Sequence, residues 1–102
     1  MEEKKSFLKL KIDQESPNKN IVPITTTIGE DGKLSIGGCP IEELVKKYDS
    51  PLYVLDETTL RESCRAYKKA LEKYYPGESL PIYASKANSS IFMSNLVSSE
   101  GL

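Results

Sequence analysis

The chain has 102 residues, 38% hydrophobic and 28% charged, the size and make-up of one ordinary folded domain rather than of a disordered or fibrous polymer. With 14 Lys+Arg against 15 Asp+Glu the net charge is −1, so no general basic field draws nucleic acid or an anionic membrane, and neither is expected as a partner. The absence of histidine removes a Ser-His triad, a histidine general base and a histidine metal site from these residues, and with them most hydrolase chemistry.

At the amino terminus, Met1-Glu2-Glu3-Lys4-Lys5 is not followed by a signal-peptide core, and no apolar run approaches the roughly 20 residues of a membrane span, so a cytoplasmic protein is expected. Phe7-Leu8-Lys9-Leu10-Lys11-Ile12 alternates apolar and charged residues with period two, which predicts a half-exposed strand. The polar stretch Asp13 to Asn20 predicts a loop. Ile21 to Ile28 and Lys33 to Ile36 flank Gly29-Glu30-Asp31-Gly32, a hairpin signal centred on Asp-Gly, with Pro23 confining its strand to an edge or a strand start. Residues 1–38 therefore read as a β-rich segment.

From residue 39 the pattern changes to alternating helix and strand. Pro40 suits a first helical position, and Ile41, Leu44, Val45 and Tyr48 follow at i, i+3, i+4 and i+7, giving one apolar stripe. Pro51 ends that helix, and Leu52-Tyr53-Val54-Leu55 is a continuous apolar run of the kind found in strands buried on both faces. Asp56 then reads as the N-cap of a helix carrying Leu60, Cys64, Tyr67, Leu71 and Tyr74 on one side, which Pro76-Gly77 terminates. A second apolar strand is predicted over Leu80 to Ala84. A last helix, capped at Asn88, Ser89 or Ser90, runs through Ile91, Phe92, Met93, Leu96 and Val97 to Gly101 at its C′ position. Short apolar strands alternating with amphipathic helices imply parallel pairing through right-handed crossovers, the building step of α/β sheets and (β/α)8 barrels.

The two cysteines, Cys39 and Cys64, have neither Cys-x-x-Cys spacing nor histidine partners, so a zinc site lacks ligands and both read as free thiols, Cys64 as a packing residue. Asp56 and Glu57 suggest acid and base chemistry, but an N-cap with a neighbour favoured by the helix dipole accounts for them without catalysis. Tyr53 and Tyr83 read as strand-packing aromatics. That leaves Lys86, placed just past the end of the apolar run Leu80-Pro81-Ile82-Tyr83-Ala84. An isolated buried ammonium is expensive. Either Lys86 is a reactive lysine, whose neutral amine forms a Schiff base with an aldehyde cofactor such as pyridoxal phosphate, or its stem covers apolar surface while its head reaches water.

The words around it distinguish the two. Tyr83-Ala84-Ser85-Lys86-Ala87-Asn88 resembles the Tyr-Ala-x-Lys-Ala-Asn signature of the alanine racemase-like barrel enzymes and amino-acid decarboxylases, in which the lysine carries pyridoxal phosphate. Ile36-Gly37-Gly38-Cys39, the helix Ile41 to Tyr48, and Ser50-Pro51-Leu52-Tyr53-Val54-Leu55-Asp56-Glu57 precede it in the order and spacing of the diaminopimelate decarboxylase family. The likeness runs from about Ile36 to Leu102 and is to the family's amino-terminal portion. The family more often has Gly-Thr-Pro where this chain has Asp49-Ser50-Pro51, and often Val where it has Ser85.

The resemblance implies a (β/α)8 barrel of the alanine racemase-like type, with residues 39–102 as its first β/α units and residues 1–38 as a β-rich segment joining a carboxyl-terminal β domain. It implies Lys86 as the catalytic and cofactor-binding residue, pyridoxal 5′-phosphate as the cofactor, and decarboxylation of meso-diaminopimelate to L-lysine and carbon dioxide by a homodimer. In barrels of this kind catalytic groups sit at the carboxyl ends of strands, the place expected for Lys86. A barrel needs about 250 residues, so these 102 are expected to be a portion of a longer enzyme and inactive when isolated. Related ornithine or arginine decarboxylases, alanine racemases, and a non-catalytic pyridoxal-phosphate-binding protein share the lysine strand and remain alternatives.

Overall fold

In the computed structural model of the chain, residues 21–102 are described, and the strand expected over Phe7 to Ile12 lies outside them. They divide into two units, one reaching to Thr59 and one from Leu60 onward.

The first unit is built on two successive hairpins. Strands β1 (Thr27–Ile28), β2 (Leu34–Ile36) and β3 (Cys39–Pro40) form an antiparallel sheet in that order, with Thr27 opposite Ser35 and Ile36 opposite Cys39. The first hairpin turns at Asp31-Gly32 as expected, closed by Gly32 N–H donating to the Gly29 carbonyl at 2.9 Å and by Gly29 N–H donating to the Lys33 carbonyl at 2.9 Å. The second turns on Gly37 and Gly38 at φ 58° and 78°, the paired positive values a two-residue turn with the sheet's own twist requires. Helix α1 (Ile41–Tyr48) follows directly and packs on β2 and β3. Pro40 is its N-cap, one position earlier than its sequence preference suggests, because its residue is also paired in β3. The helix ends at Asp49, whose N–H donates to the Val45 carbonyl at 2.8 Å.

Helix α2 (Glu57–Tyr74) starts where the N-cap pattern placed it: the Asp56 carboxylate accepts from the Thr59 N–H at 3.0 Å. In the second unit α2 and α3 (Ile91–Ser99) share a small core of Cys64, Met93, Leu96 and Val97, with Leu60, Tyr83 and Leu102 packed against it. Ser90 caps α3 by accepting from the Met93 N–H at 3.2 Å. At the far end Gly101, at φ 88°, lets Leu102 N–H reach the Val97 carbonyl and Gly101 N–H the Ser98 carbonyl, both at 3.0 Å. This six-to-one and five-to-two pair is the Schellman closure, and it turns Leu102 back onto the core.

The two strands expected over Leu52–Leu55 and Leu80–Ala84 are not formed: among the described residues both segments lack ladder partners, and the sheet there consists of β1, β2 and β3. Several of their side chains are correspondingly bare, Tyr53 being 99% and Ile82 83% exposed, while Val54 and Tyr83 are partly covered. The apolar composition of each run is what a strand buried on both faces requires, but the runs cannot bury themselves; neighbours on each side must supply the ladder and the cover. The described residues thus hold a small antiparallel sheet and three helices, without a parallel strand pair among them.

Candidate functional site

Lys86 stands on a turn, not on a strand. Ser85 and Lys86 occupy its central positions, and Ala87 N–H closes it by donating to the Ala84 carbonyl at 3.2 Å. The lysine is exposed, and among the described residues its ammonium takes no hydrogen-bond or ion-pair partner. The buried ammonium that the apolar run suggested is therefore not present; with no neighbouring strand to cover residues 80–84, the turn at their end faces solvent.

What the turn lacks in cover it has in bracing. The Tyr83 ring packs against the second unit's core, and its hydroxyl donates to the main-chain carbonyl of Asn88 at 2.9 Å, across the base of the turn. The Asn88 side-chain oxygen accepts from the Ser90 N–H at 3.1 Å, an Asx turn leading into the Ser90 cap of α3. Tyr83 is thus a packing aromatic, as its sequence position suggested, with a hydroxyl whose role the sequence pattern did not disclose. The available signal was its placement with Asn88 on either side of the lysine.

Asp56, the other candidate for acid–base work, is occupied structurally. Besides the Thr59 N–H it accepts from the Thr59 hydroxyl and from that of Thr25, while Thr25 Oγ1 accepts from Gly37 N–H at 2.9 Å and Thr59 Oγ1 from Ile24 N–H at 3.0 Å. Burial pushes the Asp56 carboxyl up, but the Thr59 and Thr25 hydroxyls and the Thr59 amide outweigh it and hold the group below its ordinary value. One carboxylate therefore joins the start of α2 to the segment before β1 and to the Gly37-Gly38 turn. Cys39 is exposed and Cys64 buried, both free. Among the described residues there is no group of metal-ligating side chains, and no helix is long and apolar enough to cross a membrane.

An apolar cavity of about 500 Å³ in the second unit is lined by Leu60, Cys64, Tyr67, Leu71, Ile82, Tyr83, Met93, Val97 and Leu102, and one of about 550 Å³ in the first by residues of the hairpin and α1. Lys86 lines neither. An aldehyde cofactor needs a primary amine that is reachable and not already held by a carboxylate, with room beside it for a flat ring. Lys86, exposed and unpaired among the described residues, meets the first two of those requirements.

Comparison with known proteins brings this turn and its flanks together. The chain is 47% identical over 87 residues to the diaminopimelate decarboxylase of Synechocystis sp., 41% over 78 to that of Bacillus methanolicus, and 39% over 79 to that of Bacillus subtilis, alignments that cover 85%, 76% and 76% of the chain. Over these residues the chain belongs to the diaminopimelate decarboxylase family. It spans 18–19% of the length of these relatives, so it corresponds to a portion of a diaminopimelate decarboxylase. No family model matches the chain, and no solved structure matches it significantly.

Proposed function

We propose that the chain is part of a pyridoxal-phosphate-dependent carboxy-lyase that converts meso-diaminopimelate to L-lysine and carbon dioxide in the cytoplasm, and that Lys86 is the residue to which the cofactor is attached. The observation carrying this reading is the unpaired, exposed Lys86 in the Tyr83–Asn88 turn of a chain 47% identical to a diaminopimelate decarboxylase. In the complete enzyme the extended runs Leu52–Leu55 and Leu80–Ala84 become the first strands of an alanine racemase-like (β/α)8 barrel begun by residues 39–102. Residues 1–38 join a carboxyl-terminal β domain, and two subunits form a homodimer.

Lys86 would supply the amine that holds the cofactor. When bound, pyridoxal phosphate supplies the electron sink that lets the substrate lose its α-carboxylate. The protein's part is placement. The turn Ala84–Ala87 sets where the amine emerges, the two alanines keep side chains out of the ring's way, and Asp56 holds the first unit together without contributing to the chemistry.

Borohydride reduction of the full-length holoenzyme followed by peptide mapping tests the assignment: label is expected on Lys86, and label on Lys33 or Lys73 instead refutes it. Lys86→Ala is expected to abolish turnover with the fold intact, since the side chain contacts no partner among the described residues. Near wild-type decarboxylation by that variant overturns the mechanism.

A further inference from the structure

We infer that Tyr83 is a positioning residue for Lys86: its hydroxyl, anchored by a ring set against the core, fixes the turn from which the lysine amine is presented. The inference rests on the reading of Lys86 as the cofactor lysine. A lysine side chain has four carbon links between Cα and nitrogen, so the amine's reach is defined only if its backbone origin is defined, and misplacement of a reacting group by about 1 Å can cost a hundredfold in rate. Nothing else among the described residues holds the Lys86 head.

The turn is tied to one core from both sides. On the entering side the Tyr83 ring rests on the cluster that contains Met93 and Val97. Across the turn its hydroxyl holds the Asn88 carbonyl at 2.9 Å. On the leaving side Asn88 accepts from Ser90 N–H at 3.1 Å and Ser90 Oγ from Met93 N–H at 3.2 Å, and Met93 is buried in the same cluster. Within the loop itself a single main-chain bond, Ala87 N–H to the Ala84 carbonyl at 3.2 Å, resists opening. Among the described residues the Tyr83 hydroxyl is the one side-chain group that crosses the base of the turn, and removing it deletes that cross-tie while leaving the ring and the Asn88–Ser90 tie in place.

The test uses Tyr83→Phe in the full-length enzyme. Apoenzyme is mixed with pyridoxal phosphate, quenched with borohydride at timed intervals, and mapped for label on Lys86; total cofactor retained before reduction is measured as phosphorus content. The rate of covalent attachment is expected to fall about fivefold, the factor carried by one neutral hydrogen bond, with cofactor content and amide-exchange protection of Met93 to Val97 at wild-type levels. Attachment at the wild-type rate overturns the inference, and so does a parallel fall in attachment, cofactor content and protection, which marks a merely structural residue. Absence of label on Lys86 in the unmodified enzyme defeats the underlying reading, and this inference with it.

Discussion

Arg65 and Glu100 face each other through two parallel hydrogen bonds, Nε to Oε2 at 2.9 Å and Nη2 to Oε1 at 3.0 Å, and Arg61 adds a third from Nη1 to Oε1 at 2.9 Å. The fork geometry matches a planar guanidinium to a carboxylate and is stronger than a single-point ion pair. Its location matters as well. Glu100 is the C-cap of α3, where a negative charge opposes the helix dipole, so without the two arginines of α2 this carboxylate destabilises the helix it ends.

Arg65 first and Arg61 second hold the Glu100 carboxyl below its ordinary value of 4.5, against the opposing effect of burial. A carboxyl that binds its proton more weakly in the folded state stabilises fully above its unfolded value and loses that contribution as pH falls through the folded one. Glu100→Gln is therefore expected to lower the amide-exchange protection of α3 at pH 7, with the difference from wild type shrinking as pH falls below about 4.5. Equal protection at pH 7 refutes this account.

Asp56 serves a similar end by different means, replacing arginine partners with an N-cap amide and two hydroxyls. Asp56→Ala is expected to cost about 1 kcal/mol, the usual loss for a truncated cap, seen as faster exchange in the first turn of α2. Asp56→Asn should recover part of that loss, since an amide oxygen still caps. Because the folded carboxyl lies below its ordinary value, the advantage of Asp over Asn is present at neutral pH and disappears on acidification. An advantage that grows on acidification contradicts the assigned hydrogen bonds.

Local signals translated directly into structure. Asp31-Gly32 turned where it stood, Ile41 to Tyr48 formed one helix, Asp56 and Ser90 capped, and Gly101 closed α3, because each depends on residues within a few positions. The Gly37-Gly38 turn is equally local, a two-residue glycine pair between β2 and β3. The runs Leu52–Leu55 and Leu80–Ala84 differ in kind. Their composition specifies burial on both faces, but a ladder needs partners distant in sequence, so the pattern names a requirement that these residues do not meet among themselves. For Lys86, the motif around the residue is visible in the sequence; the Tyr83 hydroxyl bond across its turn depends on packing and carries no periodic signature.

Asp49 ends α1 at φ 63° and ψ −176°, a backbone region almost restricted to glycine. The neighbouring Ser50–Pro51 sequence continues the chain, and the diaminopimelate decarboxylase pattern more often has glycine in place of Asp49. Removing the side chain relieves a clash with the backbone that costs on the order of 1–3 kcal/mol for such conformations, offset in part by glycine's greater freedom in the unfolded chain. Asp49→Gly is expected to stabilise the protein by about 1 kcal/mol in denaturant unfolding. A destabilised variant would show that this carboxylate makes a contribution larger than the strain.

The isolated 102-residue chain is expected to be marginally folded and to lack decarboxylase activity. The core of the second unit comprises four buried hydrophobic residues, Cys64, Met93, Leu96 and Val97, while Tyr53, Leu55, Leu80, Ile82 and Ile91 are all more than half exposed. Whole domains are stable by only about 5–15 kcal/mol, and burial of apolar side chains is the main favourable contribution, each worth roughly 1.5–3 kcal/mol. A core this small leaves little to set against the ordering of the chain, and the bare runs invite association through their unpaired edges. The purified chain should show a shallow thermal transition with broad amide resonances, and addition of meso-diaminopimelate with pyridoxal phosphate should release no carbon dioxide. A sharp cooperative transition, together with tight cofactor binding at Lys86, would instead establish these residues as an autonomous pyridoxal-phosphate-binding module.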